Sequence, residues 1–220
     1  MNSALNVAIV DFGLGNLYSV KHACAHAGMN GIITDNADVL YESDAIFLPG
    51  VGAFRDAMNA LHEKNLVEPL RDLAGTKPLI GICLGLQLLM SSSEEFGASK
   101  GLDIIPGRTL FLGEPRENGK TLKVPHVGWN KVRPARQGAW KGTPLSGLPA
   151  NEPMYFVHSY YVVPDDENTA LCLADYGDIT FCSAVAAGNV IAFQFHPEKS
   201  GRHGLEIYEN IAGFISKKIR

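Results

Sequence analysis

A cysteine at position 83 stands between two glycines, in Gly81-Ile82-Cys83-Leu84-Gly85. The apolar run Pro78-Leu79-Ile80 precedes it and reads as a buried strand; Leu86-Gln87-Leu88-Leu89-Met90 follows and reads as a helix. A nucleophile between strand and helix sits on a sharp turn with positive φ, for which the glycines leave room. The turn pushes the sulfur out where a substrate can reach it. The amides that open the helix, beginning at Leu84, face the same spot, where they favour a thiolate and hold a developing oxyanion. Free cysteine is also among the most buried residue types, so plain packing is the competing reading. A base decides between them.

That base lies more than a hundred residues downstream, in Phe193-Gln194-Phe195-His196-Pro197-Glu198, at the end of the last apolar strand. Cys83 and His196 both follow apolar strands. In an open α/β sheet the carboxyl ends of such strands meet at one edge, where ligands bind. Pro197 stiffens the link and favours an extended backbone before it. Alternating side chains in such a segment let Glu198 reach the far nitrogen of His196 and fix its tautomer.

The elements that must position these groups alternate in the first half. Strands are expected at Asn6–Asp11, Gly31–Thr34 and Asp44–Leu48, the last closed by Pro49-Gly50. Helices are expected from Leu17 to about Gly28 and from Ala53 to about His62. Alternating β and α units imply a parallel sheet with helices on both faces. The second half is richer in glycine and proline between Pro106 and Pro153. Short β-like runs follow at 154–163, 171–174, 179–185 and 190–195, read as hairpins and antiparallel additions. A helix from Gly204 to Lys218 closes the chain. The expected fold is therefore α/β: a three-layer, open, mixed but mostly parallel sheet flanked by helices, with antiparallel additions in the second half. Residues 1–220 are read as one domain, because the candidate catalytic pieces lie on both sides of any cut.

Composition excludes several classes. The 220 residues carry a formal net charge of -4 with acids and bases interspersed, so neither a nucleic-acid groove nor a basic membrane-binding helix is expected. The basic residues of Arg133–Lys141 are broken up by proline and glycine and read as a solvated loop. Cys24, Cys83, Cys172 and Cys182 form no C-x-x-C pair, which favours a reduced, cytoplasmic chain. Met1–Leu5 shows no leader pattern, and no apolar run approaches membrane-spanning length. Asp11-Phe12-Gly13 lacks the companions of a kinase site, Gly13-x-Gly15 lacks the third glycine of a dinucleotide fingerprint, and no cluster has metal-ligand spacing. No cofactor is expected.

The cysteine elbow and the Phe-His-Pro-Glu segment resemble the signature of the class I glutamine amidotransferases, and the resemblance covers nearly the whole chain. It implies that Cys83 attacks the side-chain amide of glutamine, His196 acts as base then acid, and Glu198 orients His196. Pro49-Gly50-Val51-Gly52 resembles the family's oxyanion strand, so an amide of Val51 or Gly52 would join that of Leu84; a peptide flip there is a candidate switch. Gln87 matches a position that contacts bound glutamine. Read alone, the first segment is a glycine-rich turn and the second a helix former.

Asp11-Phe12-Gly13-Leu14-Gly15-Asn16, Pro125-His126-Val127-Gly128-Trp129-Asn130 and Tyr155-Phe156-Val157-His158-Ser159-Tyr160 narrow the likeness. They resemble the branch that serves imidazole glycerol phosphate synthase in histidine biosynthesis. The branch implies a heterodimer with a cyclase subunit that receives the ammonia. Its docking face would include Pro125, His126, Gly128, Trp129 and Asn130, with Asn16, Tyr155 and Lys199 nearby. Ser159 and Tyr160 would hold the amino-acid end of glutamine. Duller readings stay open: Asn16 as a helix cap, Lys199 as a surface charge, Trp129 and Tyr155 as sheet aromatics. So do rival functions: a triad glutaminase serving another synthase, a γ-glutamyl hydrolase, or a non-catalytic docking subunit.

Overall fold

The computed structural model describes residues 4–219; Met1–Ser3, most of the segment without a leader pattern, lie outside the described residues. In chain order the elements are β1 (Asn6–Val10), α1 (Leu17–His26), β2 (Asn30–Thr34), α2 (Ala37–Glu42), β3 (Ala45–Gly50), α3 (Phe54–Glu63), α4 (Val67–Thr76), β4 (Leu79–Cys83), α5 (Leu84–Leu88), β5 (Met90–Ser93), β6 (Ser99–Lys100) and β7 (Ile105–Phe111). There follow β8 (Arg116–Glu117), β9 (Lys120–Thr121), β10 (His126–Pro134), β11 (Glu152–His158), β12 (Tyr160–Pro164), β13 (Ala170–Tyr176), β14 (Ile179–Ala187), β15 (Val190–Phe193) and α6 (Gly201–Lys218).

One sheet runs β2-β1-β3-β4-β15-β14-β12-β7-β5-β6, with β10, β11 and β13 joined to it. From β2 to β15 every pairing is parallel. Beyond β15 the pairings turn mostly antiparallel, through β14, β12 and β7. This is the mixed sheet the sequence implied.

Alternation along the strands builds the three layers. Val7, Ile9 and Phe47 face one core with Val20, Cys24 and Ala23 of α1 and Ile207, Ile211 and Ile215 of α6. Ala8, Val10, Ile46 and Leu48 face the other, with Phe54 and Leu61 of α3, Leu70 of α4 and Leu84, Leu86 and Leu88 of α5. Strands buried on both sides read as continuous apolar runs, which is why they stand out in the sequence.

Several features depart from expectation, among them strands β7 and β10 in the segment rich in glycine and proline. Helices α2 and α4 are additional to those the sequence pattern announces. Helix α5 stops at Leu88, and Met90 opens a strand instead of continuing the helix. The reason is local: the carbonyls of Leu88 and Leu89 accept from the amides of Leu102, Ile104 and Ile105, so the chain pairs outward after one turn. The expected 154–163 strand is two strands, β11 and β12, broken at Ser159.

Candidate active site

Cys83 ends β4 with φ 55 and ψ -108, a conformation that an L-residue holds at a cost of about 1–3 kcal/mol. The flanking glycines do not share this positive φ. They make space: a Cβ at Gly85 would fall on the carbonyl of Leu48, and one at Gly81 would come within 2.8 Å of Ala192 Cβ. Gly50, on the adjacent strand β3, is held the same way: a Cβ there would lie 2.8 Å from Phe12 Cζ and 3.2 Å from Leu84 Cβ. The elbow is therefore wedged between β3 and β15.

Strand β15 lies beside β4 with Phe193 opposite Ile82, which brings the following residues to the sulfur. Gln194 Nε2 donates to Cys83 Sγ at 3.7 Å, and the thiol donates to Val157 O at 3.6 Å. His196 enters a short 3₁₀ turn, Pro197–Lys199, rather than the extended segment expected. The turn curls Glu198 back, so that its Oε1 sits 2.7 Å from His196 Nδ1, with both side chains buried. A Cβ at Gly204 would strike the carbonyl of Pro197, so α6 presses directly on this turn.

The Glu198 contact engages Nδ1 and leaves Nε2 buried without a hydrogen-bond partner. Burial lowers the pKa of His196, but the nearby Cys83 sulfur and the hydrogen bond and charge of Glu198 outweigh it and raise the pKa from 6.5 to about 10. The arrangement favours an imidazolium at His196, between Glu198 and the Cys83 sulfur.

A cavity of about 220 Å³ opens over the sulfur. Val51, Gly52, Leu84, Gln87, Ser159 and Tyr160 all line it beside Cys83. Sequence reasoning misses Glu95, which lies on the same wall and accepts from Phe54 N at 2.6 Å. Nothing in the run Ser91-Ser92-Ser93-Glu94-Glu95 marks it out, because its position depends on the β5 register. Gln87 Nε2 donates to Tyr160 O at 3.0 Å and to Gln194 Oε1 at 3.2 Å, tying the two strand ends together. The amide of Val51 does not face the cavity as an idle donor: it donates to Leu14 O at 3.3 Å.

Of the residues expected at a docking face, the structure gathers three. Trp129 and Tyr155 are opposite one another on β10 and β11, with rings 6.1 Å apart, and Lys199 Nζ lies 6.0 Å from the Tyr155 ring. Trp129 is 58% exposed. Asn16 stands at the N-cap of α1, yet its side chain makes no capping bond. Pro125 lines the cavity, and Gly128 and Asn130 sit on β10. His126 differs from expectation. It is only 3% exposed, because β10 alternates and turns it inward, so its side chain is a core group.

Residues 8–212 match the family model described as glutamine amidotransferase class-I, and the chain belongs to that family. Within it, the curated relatives point to one branch. The chain is 50% identical over 210 residues to imidazole glycerol phosphate synthase subunit HisH of Syntrophotalea carbinolica, covering 93% of this chain and 98% of that protein. It is 45% identical to the HisH subunit of Geobacter sulfurreducens, over 93% and 96% of the two chains. Both relatives are subunits of the same synthase, the one whose branch the motifs resemble. Solved structures agree on the fold. PurLQS from Thermotoga maritima matches with a TM-score of 0.71 at 17% identity, over 96% of this chain and 99% of that one. A putative GMP synthase protein from Thermoplasma acidophilum matches at 0.70 and 18% identity, over 99% and 96%.

Proposed function

We propose that the chain hydrolyses glutamine through Cys83, His196 and Glu198 and passes the ammonia to the cyclase subunit of imidazole glycerol phosphate synthase, in histidine biosynthesis. The observation that carries the site assignment is the buried imidazole of His196, held 2.7 Å from Glu198 just beyond β15, the strand that lies beside the one Cys83 ends.

Glutamine enters the cavity with its side-chain carboxamide over Cys83. Ser159 and Tyr160 hold the amino-acid end, and Glu95 offers a carboxylate to the ammonium. The thiolate attacks the amide carbon, forming a C–S bond while the carbonyl electrons move to oxygen. The amide of Leu84 receives that oxyanion, and an amide of the Val51–Gly52 turn completes the hole. His196 gives its proton to the departing nitrogen as the C–N bond breaks. Water, deprotonated by His196, then cleaves the thioester to glutamate and regenerates the thiolate. Each oxyanion donor lowers the barrier by about 2.7–4 kcal/mol.

The bond from Val51 N to Leu14 O supports a resting state in which this second donor is withheld. Leu14 lies two residues from Asn16, on the side where the cyclase would dock. Docking there frees the amide through a flip of the Pro49–Gly52 strand. The partner face comprises Asn16, Pro125, Gly128, Trp129, Asn130, Tyr155 and Lys199, with His126 acting from beneath. The whole chain works as one domain, since β4 and β15 each supply half the site. Four cysteines free and buried suit a reducing, cytoplasmic setting. Among the described residues, no helix is long and apolar enough to cross a membrane.

Alkylation tests the assignment. A diazo-ketone analogue of glutamine should label Cys83 alone among the four cysteines, read by peptide mass spectrometry, and excess glutamine should protect it. Labelling elsewhere, or none in the complex with the cyclase subunit, would reject Cys83 as nucleophile.

A further inference from the structure

On the buried face of the β10–β11 pair, two histidines face each other. His126 and His158 are in register, 3% and 5% exposed. His126 Nδ1 is 3.0 Å from His158 Nε2, and His158 Nδ1 is 2.9 Å from Tyr160 O. At the other end, Asn130 Nδ2 is 3.4 Å from His126 Nε2 and 2.7 Å from Asp175 O.

The two carbonyls at the ends fix the direction of every hydrogen bond. Tyr160 O can only accept, so His158 Nδ1 carries the proton and Nε2 is bare. His126 Nδ1 must then donate to that Nε2, leaving His126 Nε2 as acceptor for Asn130. The side-chain amide of Asn130 is oriented independently, because its nitrogen also donates to Asp175 O and its oxygen accepts from Lys131 N at 2.8 Å. Both rings are neutral in one tautomer. Aromatic packing locks them: His126 stacks on Tyr176 at 4.1 Å, and His158 lies 5.0 Å from Phe181.

The far end of this chain of bonds is a functional atom. Tyr160 O also accepts from Gln87, which bonds Gln194, whose amide donates to Cys83 Sγ. We propose that His126 and His158 form a directed hydrogen-bond relay through which the β10 docking face positions the Ser159–Tyr160 wall of the glutamine cavity. The pair are positioning residues: neither touches the reacting atoms. A pair of apolar side chains would fill the same register without the desolvation that buried imidazoles require. The inference rests on the glutaminase reading above. If that reading failed, the unaltered complex would show no glutamine turnover at all, whereas failure of the relay would leave the unaltered enzyme active.

The test uses the complex at saturating cyclase subunit. His126→Leu removes the donor to His158; His126→Asn keeps an N–H near the place of Nδ1. We expect His126→Leu to raise KM for glutamine roughly fivefold, the worth of one neutral hydrogen bond, and to cut stimulation by the acceptor-loaded partner, while His126→Asn recovers both. Unchanged KM and stimulation in a folded His126→Leu chain would overturn the relay. Equal damage in both variants would do so too, since a merely structural role makes no distinction between them. Histidine-selective 15N NMR of the unaltered chain keeps the test open should His126→Leu not fold. Nδ1–H tautomers at both rings, with His158 signals that shift on assembly with the partner, support the relay. Other tautomers, or signals that stay fixed on assembly, overturn it.

Discussion

Val51 gives its amide to Leu14 O at 3.3 Å, across the gap between the end of β3 and the loop after β1. A donor so committed cannot also serve a tetrahedral oxyanion. The isolated chain should therefore turn over glutamine roughly 10²–10³-fold more slowly than the acceptor-loaded complex, the usual worth of one oxyanion donor. Steady-state glutamate release, with and without the cyclase partner and its acceptor, measures this. Equal rates would mean that the hole is already formed.

Cys83 combines a proposed nucleophile with backbone strain, and two substitutions separate them. Cys83→Ala should abolish glutamine-dependent synthesis in the complex yet leave ammonia-dependent synthesis by the partner. Cys83→Gly should be equally inactive, but more stable than Cys83→Ala by about 1 kcal/mol, because glycine accepts φ 55 without penalty. Urea denaturation of the two inactive chains gives the comparison; a less stable glycine variant would show that the turn is unstrained.

Glu198→Gln keeps a hydrogen-bond acceptor but removes the charge beside His196. With a folded pKa of about 10 against 6.5 unfolded, the native chain binds the extra proton in between. The stabilisation is full below pH 6.5 and is lost as pH rises through 10. Wild-type urea midpoints should therefore fall over that window. Glu198→Gln should start lower at about pH 6 and fall less, closing the gap, while kcat/KM drops by roughly 10²-fold. A gap that is constant with pH would dissociate Glu198 from the imidazolium.

The buried histidines act at the other end of the scale. Burial holds His126 down to about 4 and His158 to about 3. For both, the unfolded chain takes up protons first, so stability is intact above 6.5 and declines as pH falls toward 4. Tm should drop over this interval, and the drop should be smaller in His126→Leu. An identical decline in both chains would show that these rings do not govern it.

Much of the site was legible because its chemistry is local in sequence. Gly81-x-Cys83-x-Gly85 announces the elbow, although the glycines serve close approach to Leu48 and Ala192 rather than the turn itself. The apolar runs at 6–10, 45–48 and 79–82 announce a buried parallel sheet because both their faces are covered. What stayed hidden depends on tertiary register. Met90 looks helical by composition, yet pairing of the 102–105 segment with the end of α5 makes it a strand. Glu95 reaches the cavity only through β5, and the inward turn of His126 depends on which face of β10 meets the core. Glu198 reached His196 as expected, but by a 3₁₀ turn that periodicity does not signal.

Strand β15 is laid down near the end of the chain but occupies the middle of the sheet, between β4 and β14. A growing polypeptide on the ribosome thus carries Cys83 long before it owns His196, the imidazole proposed to activate it. On the proposed triad, any fragment cut short before residue 196 should be chemically silent. On the same reading, premature termination or proteolytic loss of the tail should release no stray activity that would waste the cell's nitrogen.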